Sequence, residues 1–281
     1  MKKIISFLLC ACMLFALSSV GAGAGTATKY VVLGDSIAYG SGLSNPVEAV
    51  YGRIVADTNS WEYANFAVPG HTTANLLTRI EQDAVSGAIA GADVISISIG
   101  GNNFLLGGIS AILYDGIVLE DHTRIDDIAD GLYEDLGRIV GRIRELNPGA
   151  AILLQTLYNP QTGYIGEVYQ YGADSLNEKI REFDAANPGE ILIVDVGSAL
   201  TDSDTDFAED RVHPSAAGNE KIAREVLKTL YDNGLCSGTE PVINTPGRDA
   251  RGTGLFSFSV DLCGRFFHLL AVIRKTFSSL F

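Results

Sequence analysis

Val94-Ile95-Ser96-Ile97-Ser98-Ile99 carries no charge on either face and breaks at Gly100-Gly101. A strand that is apolar or small on both sides must be covered on both sides, as central strands of parallel sheets are. Outward from this run, Lys29–Leu33, Glu62–Phe66, Ala150–Leu157 and Glu190–Val196 also read as strands, the quoted stretch itself extending over Asp93–Ile99. Helical spacing lies between them. Thr72 to Ile89 opens on a threonine cap and places Leu76, Leu77, Ile80, Ala84 and Ala88 on one face. Ile125 to Leu146 does the same with Ile128, Leu132, Leu136, Ile139 and Ile143, and stops at Asn147-Pro148-Gly149. Asp174–Ala186 and Ala216–Tyr231 are the later helices. The alternation predicts an α/β protein, a three-layer α/β/α sandwich around a parallel sheet of about five strands.

The chain has 281 residues, 47% hydrophobic and 19% charged, which suits one folded domain with appendages rather than general disorder. Its formal net charge of −14 argues against a nucleic-acid partner, which needs a basic footprint. Lys2-Lys3, an apolar run from Ile4 to Leu17 and small residues up to Ala24 have the three regions of a secretory signal, so residues 1–24 are read as a signal peptide and the protein as secreted or surface-associated. That leaves Cys236 and Cys263, which either form one disulfide or remain unpaired. The domain is placed at 25–233. Residues 234–254, rich in Gly, Ser, Thr, Pro and Asn, read as a linker, and 255–281 as an amphipathic helical tail. In that tail Leu262, Phe266, Leu269, Leu270, Ile273, Phe277 and Leu280 form a stripe, with Arg265, His268, Arg274 and Lys275 off it. Two readings stand: the helix docks its apolar face on the domain, or it lies on a membrane or lipid substrate.

The first strand, Tyr30-Val31-Val32-Leu33-Gly34, delivers Asp35-Ser36 to its carboxyl end, where open α/β sheets bind ligands. A serine hydroxyl is a weak nucleophile until a base takes its proton, and on its own Ser36 is as well read as a helix cap. His213, in Asp210-Arg211-Val212-His213-Pro214, is the candidate base, because Asp210 three residues earlier can fix its tautomer. His71 is the competitor; His122 lies in an acidic segment and His268 in the tail. Two glycine-bearing loops offer donors to a developing oxyanion: Asn65-Phe66-Ala67-Val68-Pro69-Gly70-His71-Thr72 through the Gly70 amide, and Gly100-Gly101-Asn102-Asn103 through Asn102. Asp202-Ser203-Asp204-Thr205-Asp206 resembles the opening of a calcium loop but lacks the glycine and glutamate that complete one, and is read as a solvated loop.

Taken in order, Gly-Asp-Ser, Asn-x-Ala-x-x-Gly-x-Thr, Gly-x-Asn and Asp-x-x-His-Pro resemble the SGNH, or GDSL-type, hydrolase superfamily of esterases and lipases, over about residues 29–232. The resemblance implies a flavodoxin-like sandwich and an acyl-ester hydrolase needing neither metal nor cofactor. Ser36 would be the nucleophile and an oxyanion donor, Gly70 and Asn102 the other donors, His213 the base and Asp210 its orienting acid. The substrate is then a small-molecule or lipid acyl ester, with an acetylated carbohydrate as the alternative. A non-catalytic binding module and a flavin-binding protein are the readings from other classes. Two positions depart from the pattern: Ile37 replaces leucine, and Asn103 stands where aspartate is common.

Overall fold

In the computed structural model, residues 27–251 and 255–278 are described; the proposed signal peptide lies outside the described residues. The strand around Ile97 sits in the middle of the sheet. Strands β1 (Lys29–Gly34), β2 (Glu62–Asn65), β3 (Val94–Ser98), β4 (Ala151–Gln155) and β5 (Leu192–Val194) pair in parallel in the order β2-β1-β3-β4-β5. Val31 is in register with Ile95, and Ile95 with Ile152. The helices of eight or more residues are α1 (Tyr51–Asn59), α2 (Thr73–Ile80), α3 (Asp83–Ala90), α4 (Thr123–Leu146), α5 (Gly166–Ala186), α6 (Ala216–Asp232) and α7 (Leu255–Ser278).

Alternation along the strands divides the core in two. Val31, Leu33, Ile95, Ile97, Ile152 and Leu154 face α2, α3, α4 and α5. Tyr30, Val32, Val94, Leu153 and Val194 face α1 and α6. Burying one Leu or Ile contributes roughly 1.5–3 kcal/mol. Leu132, Leu136, Ile139 and Ile143, all essentially inaccessible, therefore hold α4 more firmly than its intrinsic helix propensity does.

Three elements differ from the sequence expectation. The single helix expected over Thr72–Ile89 splits into α2 and α3, because Gln82 is extended and its Oε1 accepts from Arg79 at 2.5 Å. The acidic Asp83 then opens a new first turn, where the helix dipole favours it. The helix α5 starts at Gly166 rather than Asp174, since Val168 and Tyr169 are already buried against the core. Between β1 and β2 no helix is expected from the sequence, yet α1 forms there and buries Ile54 and Val55.

Of the stretch read as a linker, residues 234–251 run along the domain. The Ser44 and Ala250 amides donate to Arg248 and Gly42 carbonyls at 2.7 and 2.9 Å, and Asp249 accepts from the Ala216 amide. Cys236 and Cys263 are not bonded to each other. The helix α7 rests on the π-helical turn Asp115–Leu119 and the 3-10 turn Gly163–Ile165. It docks through Gly264, Phe267 and Ala271; of the predicted stripe Leu262, Phe266, Leu269 and Ile273 are exposed and Leu270 is half-buried, while the side chains of Phe277 and Leu280 lie outside the described residues.

Candidate active site

The chain leaves β1 for the sheet edge β2 and then returns to β3 on the other side of β1. Such a reversal opens a crevice at the carboxyl ends of the two central strands. Asp35 and Ser36 follow β1 at this point, and Asn102 and Asn103 follow β3. Asp35 accepts from the Ile37 amide and caps the short helix Ser36–Tyr39, so the Ser36 hydroxyl is not the cap. Among the described residues that hydroxyl has no hydrogen-bond partner, His213 included. In unliganded sites this bond is often long and tightens only with substrate bound.

Asp210 and His213 meet as their spacing predicts. The Nδ1 of His213 lies 2.6 Å from Asp210 Oδ2. The other oxygen, Oδ1, accepts from the Val212 and His213 amides, each at 3.0 Å. Burial pushes the Asp210 carboxyl up, but these hydrogen bonds outweigh it and hold it below the usual carboxylate range. Arg211 between them has φ +52°, a strained turn that makes the short loop possible. His71 lacks any such partner: its Nδ1 is buried without a hydrogen bond, and burial and Arg79 lower its pKa. His122 stacks on Tyr171 and His268 on Tyr164, away from any orienting carboxylate.

Main chain brings the two arms together. A Cβ built on Gly42 would stand 2.0 Å from the Pro214 carbonyl oxygen and 3.2 Å from His213 Cβ, so only glycine lets the turn after Ser36 lie against the histidine loop. The Tyr158 hydroxyl, buried between the arms, donates to the Val212 carbonyl at 2.8 Å.

The candidate oxyanion donors sit on loops laced to each other. Asn102 Nδ2 donates to the His71 carbonyl at 2.9 Å, which fixes the amide and leaves its second proton available. The Ser36 and Gly70 amides donate to no other group among the described residues, and the space beside Gly70 is open. Asn65 donates to the Ala38 carbonyl at 2.8 Å, tying the second loop to the Ser36 helix. Asn103 accepts from the Thr73 amide at 3.1 Å and donates to the Thr73 hydroxyl at 2.8 Å. That hydroxyl in turn donates to Asp135 of α4. The proton of Thr73 is thus committed to Asp135, and only an amide at position 103 can supply the one its oxygen needs. This gives the departure at Asn103 a physical reason.

A pocket of about 770 Å³, counting the space open to solvent, runs from this point. Ser36 and Asn102 line its mouth, with Ile99, Phe104, Leu157 and Leu176 among its apolar walls. Val212 lines it too, whereas Gly70, Asp210 and His213 stand just outside. Asp35 beneath Ser36 is 3% exposed, and burial pushes its carboxyl up to about 7 against hydrogen bonds from Ile37 and Ser98. Sequence reasoning quoted Asp35 but gave it no role, and missed Thr73, Asp135 and Gly42 altogether. The acidic loop differs from expectation as well: Asp206 is fully buried, 2.7 Å from Lys221, rather than solvated.

The parallel sandwich thus carries Ser36 on its first loop, at the mostly apolar pocket by the strand reversal. The chain belongs to the GDSL-like lipase/acylhydrolase family, whose profile matches residues 32–221, and is an ester hydrolase in general terms. It is 27% identical over 245 residues to the uncharacterised protein YpmR of Bacillus subtilis, covering 81% of this chain and 93% of that one. It is 25% identical over 214 residues to the spore germination lipase LipC of Bacillus licheniformis, covering 72% and 96%. The fold is similar to that of the lipase Lip_vut3 from a goat rumen metagenome, at TM-score 0.61 and 23% identity over 73% of this chain and 98% of that one. It is similar also to the acetyl xylan esterase Axe2 of Geobacillus stearothermophilus, at TM-score 0.55 and 21% identity over 78% and 98%.

Proposed function

We propose that the protein is an exported serine esterase acting on lipid-like acyl esters, its mature chain beginning at Gly25 after removal of residues 1–24. The observation that carries this reading is the Asp210–His213 contact of 2.6 Å, with both amides of the same turn on the second carboxylate oxygen, beside a largely apolar pocket that opens at Ser36. Ser36 Oγ attacks the ester carbonyl while His213 Nε2 takes its proton. Asp210 holds the imidazole in the required tautomer and stabilises the imidazolium. The Ser36 and Gly70 amides and Asn102 Nδ2 receive the negative charge on the carbonyl oxygen. His213 then protonates the departing alcohol, leaving an acyl group on Ser36. A water gives its proton to His213, attacks the acyl carbon and releases the acid, and Ser36 recovers its proton. No step is routed through a metal or cofactor.

One feature favours the carbohydrate-ester reading. A second, polar crevice of about 890 Å³, again counting the space open to solvent and including Asn159, Gln161, Gln170 and Asp174, shares Leu157, Tyr158 and Ala173 with the first and offers amides and a carboxylate to a sugar. Comparing turnover of a soluble acyl ester of medium chain length with that of an acetylated oligosaccharide separates the two. The mechanism itself is tested with a fluorophosphonate probe on the chain starting at Gly25. We expect labelling that disappears in Ser36→Ala. Folded wild type that does not label, or label that survives the substitution, sinks the mechanism and restores the non-catalytic reading.

A further inference from the structure

A soluble amphipathic helix turns its large apolar residues inward. The helix α7 does the reverse. Its docked face consists of Gly264 and Ala271, both buried, with Phe267 packed partly buried between them. A Cβ on Gly264 would stand 2.6 Å from Ile165 Cγ2, so the close approach to the domain depends on its having none. Phe267 meets Tyr114 edge-on at 6.0 Å, and His268 stacks on Tyr164 at 3.9 Å. Arg274 donates to the Val118 carbonyl, and Lys275 pairs with Glu120 at 2.6 Å. The helix is therefore held in place while Leu262, Phe266, Leu269 and Ile273, spaced four, three and four residues apart, stay 43–57% exposed.

This face is not an isolated stripe. Of the fifteen large apolar side chains that stand exposed among the described residues, eight lie on α7 or on the elements directly under it. The four stripe residues, on successive turns of one helix, form the kind of exposed apolar face that marks an interaction surface. The elements next to these in the chain border the pocket: Phe104 and Leu105 belong to the short helix that precedes the one ending at Tyr114, and Pro160 and Tyr169 flank the turn at Tyr164.

We propose that this face of α7 seats the protein on an anionic lipid bilayer. Charge selects that occupant over a second copy of the chain. The helix carries Arg265, Arg274 and Lys275, all exposed, against one aspartate; Lys275 is offset by Glu120, whereas Arg274 keeps its charge against the neutral Val118 carbonyl, on a chain whose formal net charge is −14. Anionic headgroups complement the helix, whereas another copy brings a second acidic body. Among the described residues no helix is long and apolar enough to cross a membrane. The helix lies in the interface plane, its stripe in the acyl boundary and its basic groups at headgroup level.

The test is flotation of the chain starting at Gly25 with phosphatidylcholine vesicles containing one quarter phosphatidylglycerol. Phe266→Glu/Leu269→Glu places two charges on exposed positions that the fold does not use. Its partition is expected to fall at least about tenfold, since each side chain forfeits a burial that shifts partition by that order. Circular dichroism and hydrolysis of a small soluble ester stay unchanged. Wild type that fails to float, a variant that floats as well as wild type, or equal partition onto pure phosphatidylcholine overturns the proposal. So does a dimer in sedimentation that the double substitution disperses, which would make the occupant a second copy. Flotation needs no turnover: Ser36→Ala is expected to bind like wild type, so failure here and failure of the esterase mechanism are read separately.

Discussion

The two arms of the candidate site are held in opposite ways. The histidine arm is a loop whose geometry is local: every bond that shapes Asp210 falls within three residues of it. The oxyanion arm is built from partners far apart in the chain. Asn102 reaches back 31 residues to His71, Asn103 reaches 30 to Thr73, and Thr73 reaches 62 forward to Asp135. The difference follows from what each arm must do. A base needs one correct tautomer, which a single neighbouring carboxylate sets. Donors to a developing charge must be fixed relative to one another before the charge appears, and only a network spanning several elements does that.

The sharpest way to break the comparison is Asp210→Asn. The amide can present its donor to His213 Nδ1 and impose the wrong tautomer, so turnover is expected to fall by about 10⁴ with the fold intact. Near-wild-type hydrolysis would mean another group orients His213. On the other arm, Asn102→Ala removes one donor and is expected to lower kcat by roughly 10²–10³ with little change in KM. A loss confined to KM would place Asn102 in ground-state binding instead.

Asp35 lies beneath both arms, and its signature is a pH dependence of stability. Its ordinary pKa of 3.8 is raised to about 7 in the fold, so between those values the folded protein binds more protons than the unfolded chain. The contribution of Asp35 is therefore largest in acid and is lost as pH rises through 7. Asp35→Asn keeps an acceptor for Ile37 but does not titrate. Its stability relative to wild type is expected to improve by about 2–3 kcal/mol between pH 5 and 8 in denaturant titrations. Parallel curves for the two proteins would show that Asp35 is already ionised in the fold at pH 5.

The smallest effect sharpens the comparison most. Asn103→Asp sets two carboxylates against the single Thr73 hydroxyl, and a drop in kcat of about tenfold is expected. The pair Asn103→Asp/Asp135→Asn restores the donor–acceptor sequence in reverse and should recover most of it. Failure of that rescue would mean that Asp135 acts only as a helix residue.

The same difference decides what could be read from the chain. The sheet was legible because Val94–Ile99 is apolar on both faces, and the histidine arm because its carboxylate, amides and ring lie within four residues. Gly70 and Asn102 were legible only as members of an ordered set of motifs, since either loop alone is an ordinary turn. Thr73 and Asp135 carry no local signal at all: a buried threonine and a mid-helix aspartate look unremarkable until α4 crosses α2. The tail stayed open between two readings for a related reason. Periodicity locates a helical stripe but does not say which side faces the protein, and it gives no weight to a small residue such as Gly264.

Gly42 sets a limit of another kind. Where the turn after Ser36 lies against Pro214, main chain meets main chain, so no side-chain exchange at that contact can lengthen or shorten the reach between Ser36 and His213. Substitutions at Phe104, Leu157 or Leu176 would reshape the pocket walls without touching this contact.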